Sequence, residues 1–434
     1  MLTAFFASIS MANFGLSKKI LASIILMGFA GQVAWTVENQ YFNVFLYNVI
    51  IPDPAYVSYM VALSAVVATL TSILIGAFSD ARTTRWGKRR PYLLLFSVWG
   101  LVTGLFPMAA WLRPAVLAAW FAIFWDCLMT FFGSAAYDAN FNAYVIDVTT
   151  VENRGKVMGI VSILGGLSLI LIYAFAGLFI EIFGYFNFFY LVGALTASLG
   201  TIGALLAEEP SAPPSAQGSV LTRIKESFSP EFIRRHASVF TLLLASGIGG
   251  VGYQTFFPYI LIYIQHYLQY PLGLASILIF IALLVGMIAG LLSGFAVDKF
   301  GRKKFGILTH VFGALALYAF SFARQIHETL ALGIAWVSLL SCSGVAIGTW
   351  LRDLFPEEKR GEFSGYNILF NVAFTMIPGP MIGSWLIHQF GERRVINGEE
   401  AIIPAPVIFQ AGALIMLLSV PLMLKVNETL RKTP

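Results

Sequence analysis

Charge is almost absent from twelve long apolar runs in this chain, and that distribution leaves it few possible folds. The runs lie at 20–51, 55–79, 90–112, 115–146, 156–182, 185–207, 237–266, 271–297, 305–323, 329–351, 362–389 and 401–424. Each comes close to or exceeds the ~20 residues that an α-helix needs to cross a bilayer, and the longer ones suit tilted or kinked helices. Backbone in lipid must satisfy its own polar groups, so the expectation is an all-α membrane protein of twelve spans. Composition agrees: of 434 residues, 58% are hydrophobic and 11% charged, where soluble domains are about 25% charged. A soluble enzyme, a nucleic-acid binder and a disordered scaffold are excluded on that ground.

The basic residues set the orientation. Of 27 Lys and Arg, 23 fall on alternate loops and the two tails, against four (Arg113, Arg324, Arg393 and Arg394) on the opposite loops. The excess of basic residues on cytoplasmic loops then puts both termini and the central linker inside. The expected organisation is an extension at 1–19, a six-helix bundle at 20–207, a linker at 208–236, a second bundle at 237–424 and a tail at 425–434. The linker opens Pro/Ser-rich and continues VLTRIKESFSPEFIRR, with Leu221, Ile224 and Phe228 on one face of an expected membrane-surface helix. Near the start, Lys18 and Lys19 follow the first apolar residues, the reverse of a signal peptide's order, and Met11 is an alternative first residue. Cys127 and Cys342 lie in apolar runs and imply no disulfide framework.

Two loops repeat. Gly76-AFS-Asp80-ARTT-Arg85-Trp86-Gly87-Lys88-Arg89-Arg90 is echoed by Gly294-FAV-Asp298-KF-Gly301-Arg302-Lys303-Lys304. Likewise Asp147, Glu152, Arg154, Gly155 and Gly159 reappear, each 206 residues on, as Asp353, Glu358, Arg360, Gly361 and Gly365. Repeats of this kind signal duplicated halves. Glycines allow close helix approach, and carboxylates at helix ends can meet an Arg or a helix N-terminus. Gly76, Asp80, Arg85, Gly87, Arg89, Arg90, Asp147 and Arg154 in the first copy are therefore expected to form a cytoplasmic gate. Asp298, Gly301, Arg302, Asp353, Glu358 and Arg360 are its counterparts in the second, tying the halves together when the cavity faces out.

These loops resemble the signature of the major facilitator superfamily, over nearly the whole chain. The longer first copy is similar to that of the glycoside–pentoside–hexuronide:cation symporters and the sucrose–proton symporters. The resemblance implies two pseudo-symmetric six-helix bundles, a central cavity lined by spans including 1 and 4, and transport of a sugar. The paired aspartates of the melibiose-permease branch are replaced here by Ala68 and Ser72, which favours protons over Na⁺ as the coupling ion.

Well inside the spans, away from their ends, only Glu38, Asp126 and Asp138 carry charge, and no Lys or Arg does. A charge at that depth costs roughly 2.5–3.5 kcal/mol or more and normally marks a cavity. A carboxyl that exchanges a proton is the chemistry a proton-coupled carrier needs. Glu38 and Asp126 each lie 12 residues from the outer end of their span, about 18 Å deep. On an ideal helix Asp126 centres a face with Thr130, Gly133, Tyr137, Asn140 and Tyr144, and Asp138 sits at its edge. Gln32, Trp35, Asn39 and Asn43 share a face of span 1; Gln254, Phe257 and Gln265 do so in span 7; span 11 offers Asn367 and Asn371. Amides and aromatic rings suit a neutral, hydroxyl-rich ligand.

The reading is a secondary transporter of a neutral saccharide or glycoside, proton-coupled, in the plasma (cytoplasmic) membrane, with no cofactor and with lipid around it. A monomer suffices to enclose the pathway. Export of amphiphilic or cationic compounds is an alternative, since acids among aromatic rings also bind cations. A sensor or a lipid-handling protein on the same fold is another. The histidines show no metal spacing, no phosphate-binding loop is present and no nucleophile–base pair lies within the spans.

Overall fold

The computed structural model describes residues 15–81, 84–209, 230–355, 366, 369–396 and 398–429. Among these described residues, ten helical segments, of 19 to 55 residues, are long and apolar enough to cross a membrane. They are α1 (Lys18–Ile50), α2 (Pro54–Ala81), α3 (Arg90–Trp111), α4 (Ala115–Asp147), the run Glu152–Leu206, α7 (Ala237–Tyr267), α8 (Leu272–Phe300), α10 (Ile326–Leu354), α11 (Leu369–Phe390) and α12 (Val407–Lys425). Helix α9 (Arg302–Phe320) has 19 residues and opens on three consecutive basic residues.

The long run is not one rod. Gly184, at φ 82° and ψ 164°, breaks it into α5 (residues 151–183) and α6 (residues 185–206). A left-handed φ of this kind suits glycine, which has no Cβ to clash. Leu164 packs on Gly28 while Gly203 packs on Met27, so the two legs pass α1 in opposite directions. Starts are set locally: the Ser17 hydroxyl accepts the Ile20 N–H at the head of α1, and Gln325 with Glu328 forms a reciprocal cap on α10.

Packing relies on small residues where helices cross. A side chain on Gly100 would strike the backbone of Ala197 and Gly193, and one on Gly252 the backbone of Gly412. Such crossings join α3 to α6 and α7 to α12 within their own bundles. Gly76 and Gly294 behave differently from expectation. A Cβ on Gly76 would meet only Ala139, at 3.9 Å, and one on Gly294 nothing within 4 Å. No helix is pressed against either glycine in this conformation.

Two further differences concern boundaries. The last apolar run does not start as helix at 401: Glu392–Ile396 and Glu399–Ile403 form an antiparallel hairpin, β1 and β2, and α12 begins at Val407. Gly398, at φ 85°, sits in the turn. Most of the expected linker helix lies outside the described residues, which resume with the short helix Pro230–Arg235.

Hydrogen bonds between the bundles gather at one end, the one opposite Lys18. Gln40 Nε2 donates to the Phe257 carbonyl at 2.9 Å, Tyr47 Oη to the Ile402 carbonyl at 2.7 Å, and Asn48 Nδ2 to Gln265 Oε1 at 2.8 Å. Glu181 accepts the Gly273 N–H at 2.8 Å, and Pro52 accepts that of Ile402 at 3.2 Å.

Candidate functional site

Four helices depart from regular geometry, three of them near the centre and α7 towards the end opposite Lys18. Glu38–Phe42 in α1, Ser134–Phe141 in α4, Tyr263–Tyr267 in α7 and Leu369–Ala373 in α11 adopt i→i+5 bonding. Such wide turns cluster at functional sites because they re-aim side chains without ending the helix.

In the first bundle this re-aiming brings Glu38 and Asp138 to one cavity. A cavity of about 200 Å³ is lined by Trp35, Glu38, Asn39, Ser64, Thr130 and Asp138, with Val372 and Met376 of α11 closing its far wall. Ala68, one of the two places where the resembled branch carries an aspartate, also lines it. Glu38 is 8% exposed. Asp138 accepts a hydrogen bond from Ser134 Oγ at 2.9 Å. The expected order of the two α4 acids is thus reversed. Asp138 reaches the cavity, and Asp126, 1% exposed, is outside its lining. The reason is the wide turn from Ser134, which puts more residues in each turn than the ideal wheel assumes. Asp126 Oδ1 and Thr130 Oγ1, one turn apart, are both buried without a hydrogen-bond partner. A proton bound at such a carboxyl removes a charge that its apolar surroundings cannot solvate.

The second bundle holds a larger space of about 360 Å³, lined by Ser246, Tyr253, His310, Trp336, Ser343 and Asn371 among others. Asn371 Oδ1 accepts from Ser246 Oγ at 2.9 Å. His310 is tied to Ser343 Oγ at 3.3 Å and Ser419 Oγ at 3.1 Å. The indole N–H of Trp336 is buried and unpartnered. Trp336 and Tyr253 also line a narrower apolar space of about 90 Å³ that reaches Tyr173 of the first bundle. Sequence periodicity singled out neither of them. The available signal was the Tyr253–Phe257 ring stack, centroids 4.7 Å apart, one helical turn along α7.

The remaining expected contacts divide. Asn39 lines the acid cavity, its amide donating to the Trp35 carbonyl at 2.7 Å. Gln32 donates to Tyr137 Oη at 2.8 Å, so these two engage each other within the first bundle. Asn43 is 1% exposed and donates back to the Asn39 carbonyl. Gln254 stands against Gly379 of α11, Phe257 lines the apolar space, and Gln265 holds Asn48 at the closed end. Asn367 lies outside the described residues. Among the described residues no group of three or more His, Cys, Asp or Glu is placed to hold a metal ion.

At the Lys18 end the repeated charges form two matching clusters. Arg89, 4% exposed, reaches Asp80 at 2.6 Å, Asp147 at 3.0 Å and Ser79 Oγ at 2.6 Å, and Lys88 adds a 3.0 Å pair to Asp80. Arg302 pairs with Asp353 and stands 3.9 Å from Asp298. Each pair joins helices of one bundle, whereas the expectation was a tie between bundles. Arg90 donates to the Leu205 carbonyl, Arg154 to the Thr149 and Ile146 carbonyls, and Arg85 lies over the exposed Trp86 ring. Glu358 and Arg360 fall outside the described residues.

Sequence reasoning missed the carboxylate in each cluster. Glu209 accepts the Lys88, Arg89 and Arg90 backbone N–H groups; Glu428 accepts those of Arg302 and Lys303. These are anions at helix N-termini, where free N–H groups and the helix dipole favour them. Gly87 and Gly301, at φ 108° and 90°, leave room for the carboxylates, which a Cβ would meet at 2.7 Å and 2.6 Å.

Comparison with known proteins places this arrangement. The chain is 31% identical over 153 residues to the human membrane-associated transporter protein, an alignment covering 32% of this chain and 28% of that protein. It is 26% identical over 212 residues to human proton-associated sugar transporter A, covering 44% of this chain and 28% of that protein. The matches thus span less than a third of either relative's length. In fold it is similar to the nucleoside transporter NupG, with a TM-score of 0.70, 15% identity and coverage of 94% of this chain and 100% of that one. It is similar also to the D-xylose-proton symporter, with a TM-score of 0.66, 19% identity and coverage of 95% and 99%. The Major Facilitator Superfamily model matches residues 1–351, and the chain, a multi-pass membrane protein, belongs to that family of transporters.

Proposed function

We propose that this protein carries a neutral sugar or glycoside across the plasma (cytoplasmic) membrane by alternating access, coupled to protons. It does so with twelve spans and both termini in the cytoplasm. The observation that carries the reading is the division of the centre. Carboxyls unaccompanied by any Lys or Arg at mid-depth in the spans border one cavity. Hydroxyls, an amide and aromatic rings border the next. A proton fits the first set and a polyhydroxylated ring the second, with Trp336 and Tyr253 against its apolar face and Asn371 and Ser246 at its hydroxyls. On α11, Asn371 borders the second space and the adjoining Val372, with Met376, borders the first, so filling one bears on the other. The likeness to proton-associated sugar transporter A and the fold of the D-xylose-proton symporter support this reading.

Counting α5 and α6 separately and including α9 gives the twelve spans. The conformation is the one closed on the outside: cross-bundle bonds gather at that end, while Gly76 and Gly294 stand beside open space. On rocking, those glycines and the Arg89 and Arg302 clusters would meet across the inner end. One chain encloses the whole path, and lipid surrounds it.

The test is pH recording outside vesicles that hold the purified protein, challenged with mono-, di- and trisaccharides and with nucleosides. Alkalinisation on adding a sugar is expected. A response to nucleosides alone would shift the substrate class, as the NupG fold allows. Proton movement only with amphiphilic cations would replace import by export.

A further inference from the structure

One half-exposed contact at the outer end is unexplained by the transport reading. Asp53, in the turn between α1 and α2, faces His388 near the end of α11, with Oδ1 3.2 Å from Nε2. His388 Nδ1 lies 2.9 Å from the Ser384 carbonyl. A carbonyl oxygen can only accept, so Nδ1 carries a hydrogen, and a neutral imidazole then has only a lone pair at Nε2. That lone pair would point at a carboxylate oxygen which already accepts the Ala55 N–H at 2.8 Å. The geometry closes only if one additional proton sits between Nε2 and Oδ1.

We propose that Asp53 and His388 form a second proton site, separate from the acid cluster, that latches the outer end shut. The pair joins the two bundles, so a proton held there stabilises the closed outer end. Loss of the proton sets two lone pairs against each other and favours opening. Both side chains are about one-third exposed (34% and 33%), so the proton exchanges with the outer solution. It is taken up on closing and returned on opening, on the same side, and so does not enter the coupling stoichiometry. It makes the position of the outer gate depend on external pH.

Other titratable and charged groups stand on the surrounding elements. Tyr47 and Tyr259 commit their hydroxyls to the Ile402 and Pro380 carbonyls. On the hairpin, Arg393 pairs with Glu400 and Arg394 with Glu392, while Glu399 opens β2. Tyr56 and Tyr59 lie in the outer turns of α2, and residues 407–418 of α12 contain no titratable group. His266 donates Nε2–H to Asn48 Oδ1, and the Arg394 guanidinium donates to its backbone carbonyl.

This inference rests on the proposed sidedness and on rocking of the bundles. The experiment uses the full chain in vesicles, with Cys127 and Cys342 replaced by Ser and spin labels at Val49 and Val395, one per bundle. The label distance is followed from about pH 5 to about pH 9, with sugar flux measured on the same samples. The outer-closed population is expected to fall as pH rises, approaching tenfold per pH unit at its steepest, the limit for one proton. The response should vanish in His388→Gln and in Asp53→Asn and persist in Glu38→Gln. Flux with an unchanged pH response in both latch variants overturns the latch and leaves the transport reading standing. A response lost only in Glu38→Gln also overturns it, in favour of the coupling acid. A fixed distance with no flux under any condition overturns both.

Discussion

Arg89 of the first bundle and Arg302 of the second make the same connections: each bridges an aspartate closing one helix to an aspartate closing another, beneath a glutamate that caps the next helix start. At mid-depth the bundles share nothing comparable. The first holds three carboxyls and the second a neutral space floored by His310 and Trp336. The repeat is kept in the charged clusters at the Lys18 end and is absent at mid-depth.

Removing the acids tests the mid-depth difference most severely. Glu38→Gln and Asp126→Asn should each lower uphill accumulation at least about tenfold while leaving sugar exchange largely intact. Accumulation unchanged in both, measured with labelled sugar, would sink the proton assignment. Asp138→Asn should behave in the same way, because Asp138 borders the cavity.

The two clusters at the Lys18 end differ in tightness, and that allows a finer comparison. Arg89 meets a half-exposed Asp80 at 2.6 Å, whereas Arg302 stands 3.9 Å from Asp298, which is 73% exposed. Arg89→Ala leaves Asp147 without its ion-pair partner and Asp80 with Lys88 alone, and should cost about 2–4 kcal/mol of stability. Arg302→Ala should cost clearly less, and thermal unfolding in detergent ranks the two. Equal losses would mean that the second cluster is as tightly built as the first.

Trp336→Ala should raise the half-saturation concentration for sugar about 10–30-fold, or ~1.4–2 kcal/mol. Saturating flux and proton coupling should change little. Trp336→Phe, which keeps a ring but loses the N–H, should fall between. An unaltered half-saturation in the Ala variant would move the substrate out of the second bundle. The smallest effect expected is at the caps: Glu209→Gln and Glu428→Gln should each cost under about 1 kcal/mol, by similar amounts. A large asymmetry between them in unfolding would break the symmetry drawn here.

Much of the Lys18 end was legible because it repeats. Asp80 and Asp147 have counterparts in Asp298 and Asp353, Arg89 and Arg302 each fall in a basic run after a repeated glycine, and charged residues at helix ends have few roles. Glu209 and Glu428 carried the same signal, since they are 219 residues apart and Gly76 and Gly294 are 218 apart. They went unseen because a cap is made in three dimensions, by chain distant from the helix it serves. The hairpin at 392–403 was hidden by an apolar run starting at Ala401, although Asn397-Gly398 is a hairpin-turn pair. Asp138 was misplaced relative to Asp126 because a wheel at 100° per residue does not hold through Ser134–Phe141.

The sequence by itself determined that this chain crosses a membrane as paired helical bundles, and which few charges lie at depth. Burial in lipid permits no other answer to long uncharged runs, and a charge there is too costly to be incidental. Tertiary structure alone decided which acids reach the cavity and that Trp336 and Tyr253 border the neighbouring space. It alone set Asp53 against His388. Each of these depends on a wide turn, a crossing or a loop-to-helix contact between residues far apart in the chain, where helical periodicity carries no information.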